Sequence, residues 1–137
     1  MPSRHDPAMR SGCPISISLE IFGDRWSLLI VRDLMFKGFS TYREFASAGE
    51  GIATNILADR LDRLERAGII HRQQDPDDGR RVTYGLTPKG WDLAPMLVEL
   101  VIWAARHEET DAPVATVRKM KANRARFIAD LRRKSGS

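Results

Sequence analysis

Residues 51–70 read GIATNILADRLDRLERAGII. Ile56, Leu57, Leu61 and Leu64 recur at helical spacing, and Gly68 follows where the pattern stops. The stretch therefore predicts an amphipathic helix from about Ala53 to Ala67, closed by a glycine C′ residue. Its polar face carries Thr54, Asn55, Ala58, Asp59, Asp62, Arg63 and Arg66. Asp59 with Arg63 and Asp62 with Arg66 stand four residues apart, the spacing of helical ion pairs. The flanking segments decide what that face is for.

On the N-terminal side, CPISISLEIFGDRWSLLIVRDLMFKG (13–38) holds two helical patterns. The first runs from about Pro14 to Phe22 and breaks at Gly23. The second follows Asp24, a good N-cap, with Trp26, Leu29, Ile30 and Leu34 in phase, and stops at Gly38. FSTYREFASAGEG (39–51) offers Ser40 or Thr41 as the cap of a short helix reaching about Ala48, closed by Gly49 and Gly51.

On the C-terminal side, Val82, Tyr84 and Leu86 alternate with Arg81, Thr83 and Gly85, the period of a half-buried strand. DPDDG (75–79) is a turn: proline fixes φ, aspartates bond nearby N–H groups, and glycine permits positive φ. A β-hairpin is thus predicted, with Arg80 and Arg81 on its tip and rising arm. Thr87 and Pro88 start a further helix, which Pro95 is expected to kink. Its later part, MLVELVIWAARH (96–107), is apolar nearly all round apart from Glu99. One neighbour in a small domain hides less surface than that, so a second chain is expected over part of it. ETDAPVA (109–115) reads as a linker. A last helix is predicted from about Val114 to Arg133, with an apolar line at Val117, Met120, Phe127, Ile128 and Leu131. That line favours dimerisation with charged flanks over a solvated face or an added DNA contact.

The chain has 137 residues, the size of one domain. Residues 1–12 are expected to be a disordered lead, 13–107 the folded unit, and 108–137 a linker with a basic helix. With 42% hydrophobic and 29% charged residues the composition is that of a soluble globular protein. It offers neither an apolar run of membrane length nor a secretory apolar core, so a cytoplasmic location is expected. The net charge of +4 is unevenly placed. Residues 118–134 carry eight bases against Asp130, leaving 14 bases and 17 acids in the first 117 residues. Charge alone therefore says more about the tail than about a DNA-binding face.

The order of two helices, a short helix, a longer helix, a hairpin and a long helix is that of a winged helix-turn-helix. The fold class expected is mainly α with a small β-hairpin, with terminal helices for dimerisation. In such a unit the longer helix lies in the major groove, the first of the pair crosses the backbone, and a basic hairpin tip reaches the minor groove. The recognition helix is placed at about 53–67 and the wing at about 75–83. Thr54 and Asn55 stand near the helix N-terminus, where side chains reach base edges, and asparagine pairs with adenine through two hydrogen bonds.

CPISISLEIFGDRWSLLIVRDLMFKG, GIATNILADRLDRLERAGII and YGLTPKGWDL resemble the opening, recognition helix and strand-to-helix junction of HxlR-type transcriptional regulators. The wing DPDDGRR is similar to that of the wider MarR group. The resemblance covers roughly Cys13 to Trp103 and implies a bacterial homodimer, commonly a repressor, on a pseudo-palindromic operator in double-stranded DNA. By position it implies Thr54, Asn55 and Ala58 for bases and Tyr42, Arg43, Arg60 and Arg63 for phosphates. Arg80 and Arg81 fall in the wing. Where many relatives have serine before the recognition helix this chain has Ala53, so the cap is missing or shifts to Thr54. Some members sense quinones, aldehydes or oxidants through a cysteine just before the first helix, where Cys13 stands. A small-molecule or electrophile effector is therefore implied.

Cys13 is the only cysteine, which excludes an internal disulfide. A helix N-terminus, helped by Arg10, lowers a thiol pKa; the alternative is a small buried hydrophobe at a dimer edge. Trp26, Trp91 and Trp103 fit a core better than an effector pocket. His5, His71 and His107 lack metal-ligand spacing, so neither a metal nor a cofactor is expected. The sequence offers no nucleophile–base set or phosphate-cradling loop, so it does not read as an enzyme. A winged helix that binds another protein is the remaining alternative, kept open by Asp59 and Asp62 and opposed by the paired arginines of the wing.

Overall fold

The computed structural model describes residues 11–136; of the predicted N-terminal lead, residues 1–10, and with them Arg10, lie outside the described residues. Helix α1 (Pro14–Phe22) begins on proline and buries none of its residues. Helix α2 (Ser27–Phe36) has Trp26 at its N-cap rather than the expected Asp24, whose carboxylate lies two residues earlier and accepts from the N–H groups of Trp26 and Ser27 at 3.0 and 3.1 Å. The short α3 (Tyr42–Ala46) is started by a capping box between Thr41 and Glu44. Helix α4 (Thr54–Arg66) buries Leu57, Leu61 and Leu64. Gly68, at φ 77°, ends it in a Schellman arrangement, with the Ile69 N–H donating to the Leu64 carbonyl at 3.0 Å.

Strands β1 (Ile70–Gln74) and β2 (Val82–Leu86) form one antiparallel hairpin, with Ile70 opposite Leu86 and Gln74 opposite Val82. The Tyr84 N–H donates to the Ser40 carbonyl at 2.7 Å and pins the hairpin beside α3. The predicted alternation on β2 is blurred: Val82 through Gly85 are all half-buried and Leu86 is buried. The His71 ring lies so close across Gly85 that a Cβ there would meet its Nε2 at 2.6 Å.

The helix expected to kink at Pro95 is instead two helices, α5 (Pro88–Trp91) and α6 (Ala94–His107). The chain turns at Asp92 and Leu93, and Pro95 falls in the first turn of α6, where its missing N–H costs nothing. The predicted last helix is likewise two, α7 (Val114–Ala122) and α8 (Arg124–Lys134). Asn123 leaves helical space at φ −161°, and its side chain accepts from the Arg126 N–H to start α8. The break lets α8 fold back on the same chain. Met120 joins Val98 and Ile102, and Ile128 and Leu131 pack on the main core. The apolar line expected to serve dimerisation is thus largely taken up within the chain.

That core is built from Ile30, Val31, Leu34, Met35, Phe45, Leu57, Leu61 and Leu64, closed by Ile69, Ile70 and Trp91. Trp91 is a core residue as expected, and Trp26 is half-buried. Trp103 is not core: it is 59% exposed, beside Leu100 at 47%. Helix α5 lies so close to the start of the hairpin that a Cβ on Gly90 would lie 2.2 Å from the Ile69 oxygen and 2.9 Å from Leu86 Cδ2. Gly90→Ala should therefore cost about 1–3 kcal/mol through overpacking. Urea unfolding checks this; an unchanged midpoint would mean that α5 can move away freely.

Candidate nucleic-acid interface

The recognition helix starts without a side-chain cap, because Ala53 at the N-cap has no acceptor. Its first carbonyl is held from outside: the Tyr42 hydroxyl donates to the Thr54 oxygen at 2.8 Å, joining α3 to the start of α4. Thr54, Asn55 and Ala58 are exposed at that end of the helix. The turn between α3 and α4 uses positive φ at Gly49 (92°) and Gly51 (75°). Between those glycines, the Glu50 carboxylate accepts from Arg32 at 3.0 Å and Arg25 at 3.3 Å, which ties the turn to α2. These contacts hold the Glu50 carboxyl below its ordinary range, the Arg32 hydrogen bond foremost.

Arg60, implied by position as a phosphate contact, is engaged within the chain. Its Nε donates to Asp24 at 2.9 Å, a second arm meets Asp59, and its side chain is only 20% exposed. Asp24 is partly buried, which raises its pKa. The Ser27 hydroxyl, the Arg60 guanidinium and the N–H groups of Trp26 and Ser27 outweigh that and hold it at about 2. Arg60 is therefore a tie between helices, and no charge pattern within α4 distinguishes it from Arg63.

The two predicted ion pairs on α4 are present, Asp62 with Arg66 at 2.9 Å and Asp59 with Arg63 at 3.8 Å. The looser pair leaves Arg63 nearly half exposed. In the wing, the aspartates face the backbone of their own turn. Asp75 accepts from the N–H groups of Asp77 and Asp78, and Asp78 accepts from that of Arg80. The Arg80 side chain projects into solvent, 95% exposed, and Arg81 beside it is exposed. Arg43 is also exposed on α3.

One further cation belongs here and was not singled out from the sequence. Arg72, on β1 opposite Tyr84, lines a cleft between α4 and the hairpin with Tyr42, Ala58 and Asp62. Its only sequence signal is its place in the polar run HRQQ, whose strand register shows only once β2 is paired. Cys13 is exposed at the N-cap of α1. The N–H groups of Ser16 and Ile15 lower its thiol pKa, against a smaller opposing effect of burial. Among the described residues no cluster of His, Cys, Asp or Glu is placed to hold a metal, and no helix is long and apolar enough to cross a membrane.

The model of the HxlR-like helix-turn-helix family matches residues 21–112, two thirds of the chain. The chain belongs to that family. An HTH-type transcriptional regulator of Synechocystis, sll1512, is 36% identical over 97 residues, covering 69% of this chain and 71% of the relative. The regulator YodB of Bacillus subtilis is 34% identical over 93 residues, covering 67% and 82%. Reduced YodB superposes with a TM-score of 0.58 over 69% of this chain and 93% of its own, at 32% identity. YodB has also been solved quinone-bound and diamide-treated. The redox regulator HypR in its oxidised form gives a TM-score of 0.63 at 26% identity, covering 72% of this chain and all of its own. This HxlR-type chain is accordingly a DNA-binding transcriptional regulator with a winged helix-turn-helix fold. Helices α7 and α8 lie beyond the matched region.

Replacing Asp24 with Asn removes the charge that both accepts the N–H groups entering α2 and holds Arg60. The loss should be about 1–2 kcal/mol, the scale of a good cap. Because the folded-state pKa is depressed, the stability Asp24 supplies is complete above about pH 4 and fades as pH falls toward 2. Urea midpoints of wild type and Asp24→Asn should thus differ at pH 7 and converge near pH 2. A constant gap would show that the carboxylate charge is not the source.

Proposed function

We propose that this regulator is a cytoplasmic homodimeric repressor that reads its operator with α4 in the major groove and the β1–β2 tip in the minor groove. The observation that carries this is the exposed trio Thr54, Asn55 and Ala58 at the start of a helix fixed by Tyr42 and Asp24. Asn55 and Thr54 supply base contacts, and Ala58 leaves room for a base edge or a thymine methyl. Arg43 and Arg63 supply phosphate contacts, with Tyr42 positioning the helix start. Arg80 and Arg81 enter the minor groove. Arg60 is left out, being engaged by Asp24 and Asp59. Dimerisation is supported by the apolar surface exposed on α1, at Ile15 and Leu19, and on α6, at Leu100 and Trp103.

The test is fluorescence anisotropy on the DNA upstream of its own gene, with random-sequence competitor. Asn55→Ala should lose about 1–3 kcal/mol on the operator, roughly five- to 150-fold, and little on random DNA. The double variant Arg80→Ala, Arg81→Ala should weaken both and flatten the salt dependence. Equal affinity of wild type for both DNAs would overturn operator reading, and no binding to either would favour a protein partner.

Cys13 serves as the electrophile- and redox-responsive group. It is exposed, and its thiolate is favoured by the N–H groups at the start of α1. YodB, solved with quinone and after diamide, and the redox regulator HypR are the relatives that support this reading. Iodoacetamide should alkylate Cys13 with a half-maximal rate at lower pH than free cysteine. Diamide should release DNA from wild type and leave Cys13→Ser bound; release from the variant would remove Cys13 from the response.

A further inference from the structure

Helices α7 and α8 spend their apolar side on this chain: Met120, Phe127, Ile128 and Leu131 pack against α6 and the main core. What α8 turns outward is charged. Arg126, Asp130, Arg133 and Lys134 stand four, seven and eight positions along from the first, which places them on one face. Lys119 of α7 shares a cleft with Arg126 and Asp130 at the bend between the helices and extends the row. The row has four cations against one carboxylate, and Arg133 engages that carboxylate, Asp130. Lys119, Arg126 and Lys134 are exposed and form no ion pair among the described residues. The other bases of the two helices have neighbours of their own. Arg124 meets Glu99, Arg132 stacks over Trp91, and Arg118 and Lys121 share a cleft with Glu108. Glu109 and Asp111 also precede α7, so the positive character belongs to the bend and α8 rather than to the start of α7.

The row also has a direction. At its far end Lys134 lines a cleft with Ser40 and Tyr84, beside the hairpin and just before α3. Tyr84 in turn lines the cleft between α4 and the hairpin that holds Arg72 and Tyr42. The basic row is therefore continuous with the DNA-binding face through Tyr84. From Arg126 to Lys134 it runs about 12 Å, at about 1.5 Å per residue. One strand of duplex DNA presents a phosphate about every 3.4 Å of axis, so a row of this length faces several.

We propose that this row grips the phosphates of duplex DNA flanking the operator, beyond the segment that α4 and the wing engage. Arg63, Arg66 and Arg80 on the reading face each have an aspartate partner. Lys119, Arg126 and Lys134 have none, so a phosphate displaces no carboxylate from them. Such contacts carry no sequence information; they add affinity and fix the orientation of the reading face on the duplex. Both helices lie beyond the region matched by the family model, so the contact belongs to this chain's own C-terminal segment. Its placement on flanking DNA rests on the DNA-binding reading above.

Anisotropy titrations of the full chain at several salt concentrations test the row. Three duplexes are compared: the shortest that retains operator binding, that operator extended on both sides by random sequence, and random sequence alone at the longer length. The triple variant Lys119→Gln, Arg126→Gln, Lys134→Gln keeps good helix formers at exposed sites and should retain the wild-type urea midpoint. Flanks should raise wild-type affinity about tenfold at low salt, and the triple variant should lose that gain. Its salt dependence on the flanked operator should flatten by about 0.9 for each phosphate contact removed. Its affinity for the short operator should match wild type, and its binding to the long random duplex should weaken. Lys119→Arg, Arg126→Lys, Lys134→Arg should behave as wild type, because the contacts require charge. No gain from flanks in wild type, or a gain that the triple variant retains, would overturn the proposal. So would an equal loss on short and flanked operators, which would make the effect one of overall charge. A variant that matched wild type on every duplex but lost adhesion to anionic phosphatidylglycerol vesicles would identify a membrane surface as the occupant instead. Equal wild-type affinity for operator and random DNA, with the long random duplex still weakened in the variant, would fail operator reading and leave the row standing. Operator preference without any flank effect would fail the row alone.

Discussion

A single carboxylate sets the relation between the two central helices. Asp24 accepts the first N–H groups of α2, takes the Ser27 hydroxyl proton in a hydrogen bond, and pairs with Arg60 in the middle of α4. Leu57, Leu61 and Leu64 bury fully against the core and supply most of the driving force for docking α4. Apolar packing is non-directional, and a leucine stripe alone leaves room for small rotations. The Arg60–Asp24 contact supplies direction. With Arg60 turned inward toward Asp24, Thr54, Asn55 and Ala58 are left facing out, and the rotation of the helix fixes which side chains a groove would meet.

The turn before α4 is held by the same kind of device. Gly49 and Gly51 adopt positive φ, so the backbone there has many alternatives, and Glu50 between them is anchored by Arg32 on α2 and Arg25 just before it. Two charged contacts, Asp24–Arg60 and Arg32–Glu50, therefore bracket the entry to the recognition helix from the α2 side. The Tyr42 hydroxyl completes the support on the α3 side. Charged contacts of this kind respond to other charges more readily than packed leucines do.

Much of this architecture was legible in the sequence because local signals and periodicity agree. Pro14 and Gly23 bound α1, Thr41 with Glu44 announces α3, and Gly68 ends α4 where the leucine pattern stops. The C-terminal helices were misread for a definite reason. Val117, Met120, Phe127, Ile128 and Leu131 keep helical phase across residue 123, so periodicity cannot show a break there; only the capping side chain of Asn123 does. The Arg60–Asp24 contact was not legible because the partners are 36 positions apart, and within α4 Arg60 stands among Arg63 and Arg66 as one more surface cation. Trp103 fits the helical pattern of a core residue, yet a single chain has nothing to cover it. Helical phase places Trp103 on an apolar face, and phase alone does not say whether that face is covered.

The placement of charge constrains how such a regulator discriminates DNA. Several bases of the tail are engaged within the chain: Arg124 meets Glu99, Arg133 meets Asp130, and Arg132 stacks over Trp91. On the proposed DNA face, Arg63, Arg66 and Arg80 each have an aspartate partner in the chain. Approaching phosphates must compete with those aspartates, so each arginine contributes less than an unpaired cation would. Sequence-independent affinity scales with the number of phosphates neutralised. A face that neutralises few of them binds random DNA weakly, and its preference for one site must come from base edges and fit rather than from total charge. The fixed rotation of α4 is what makes such a preference available, and it traces back to the carboxylate at Asp24.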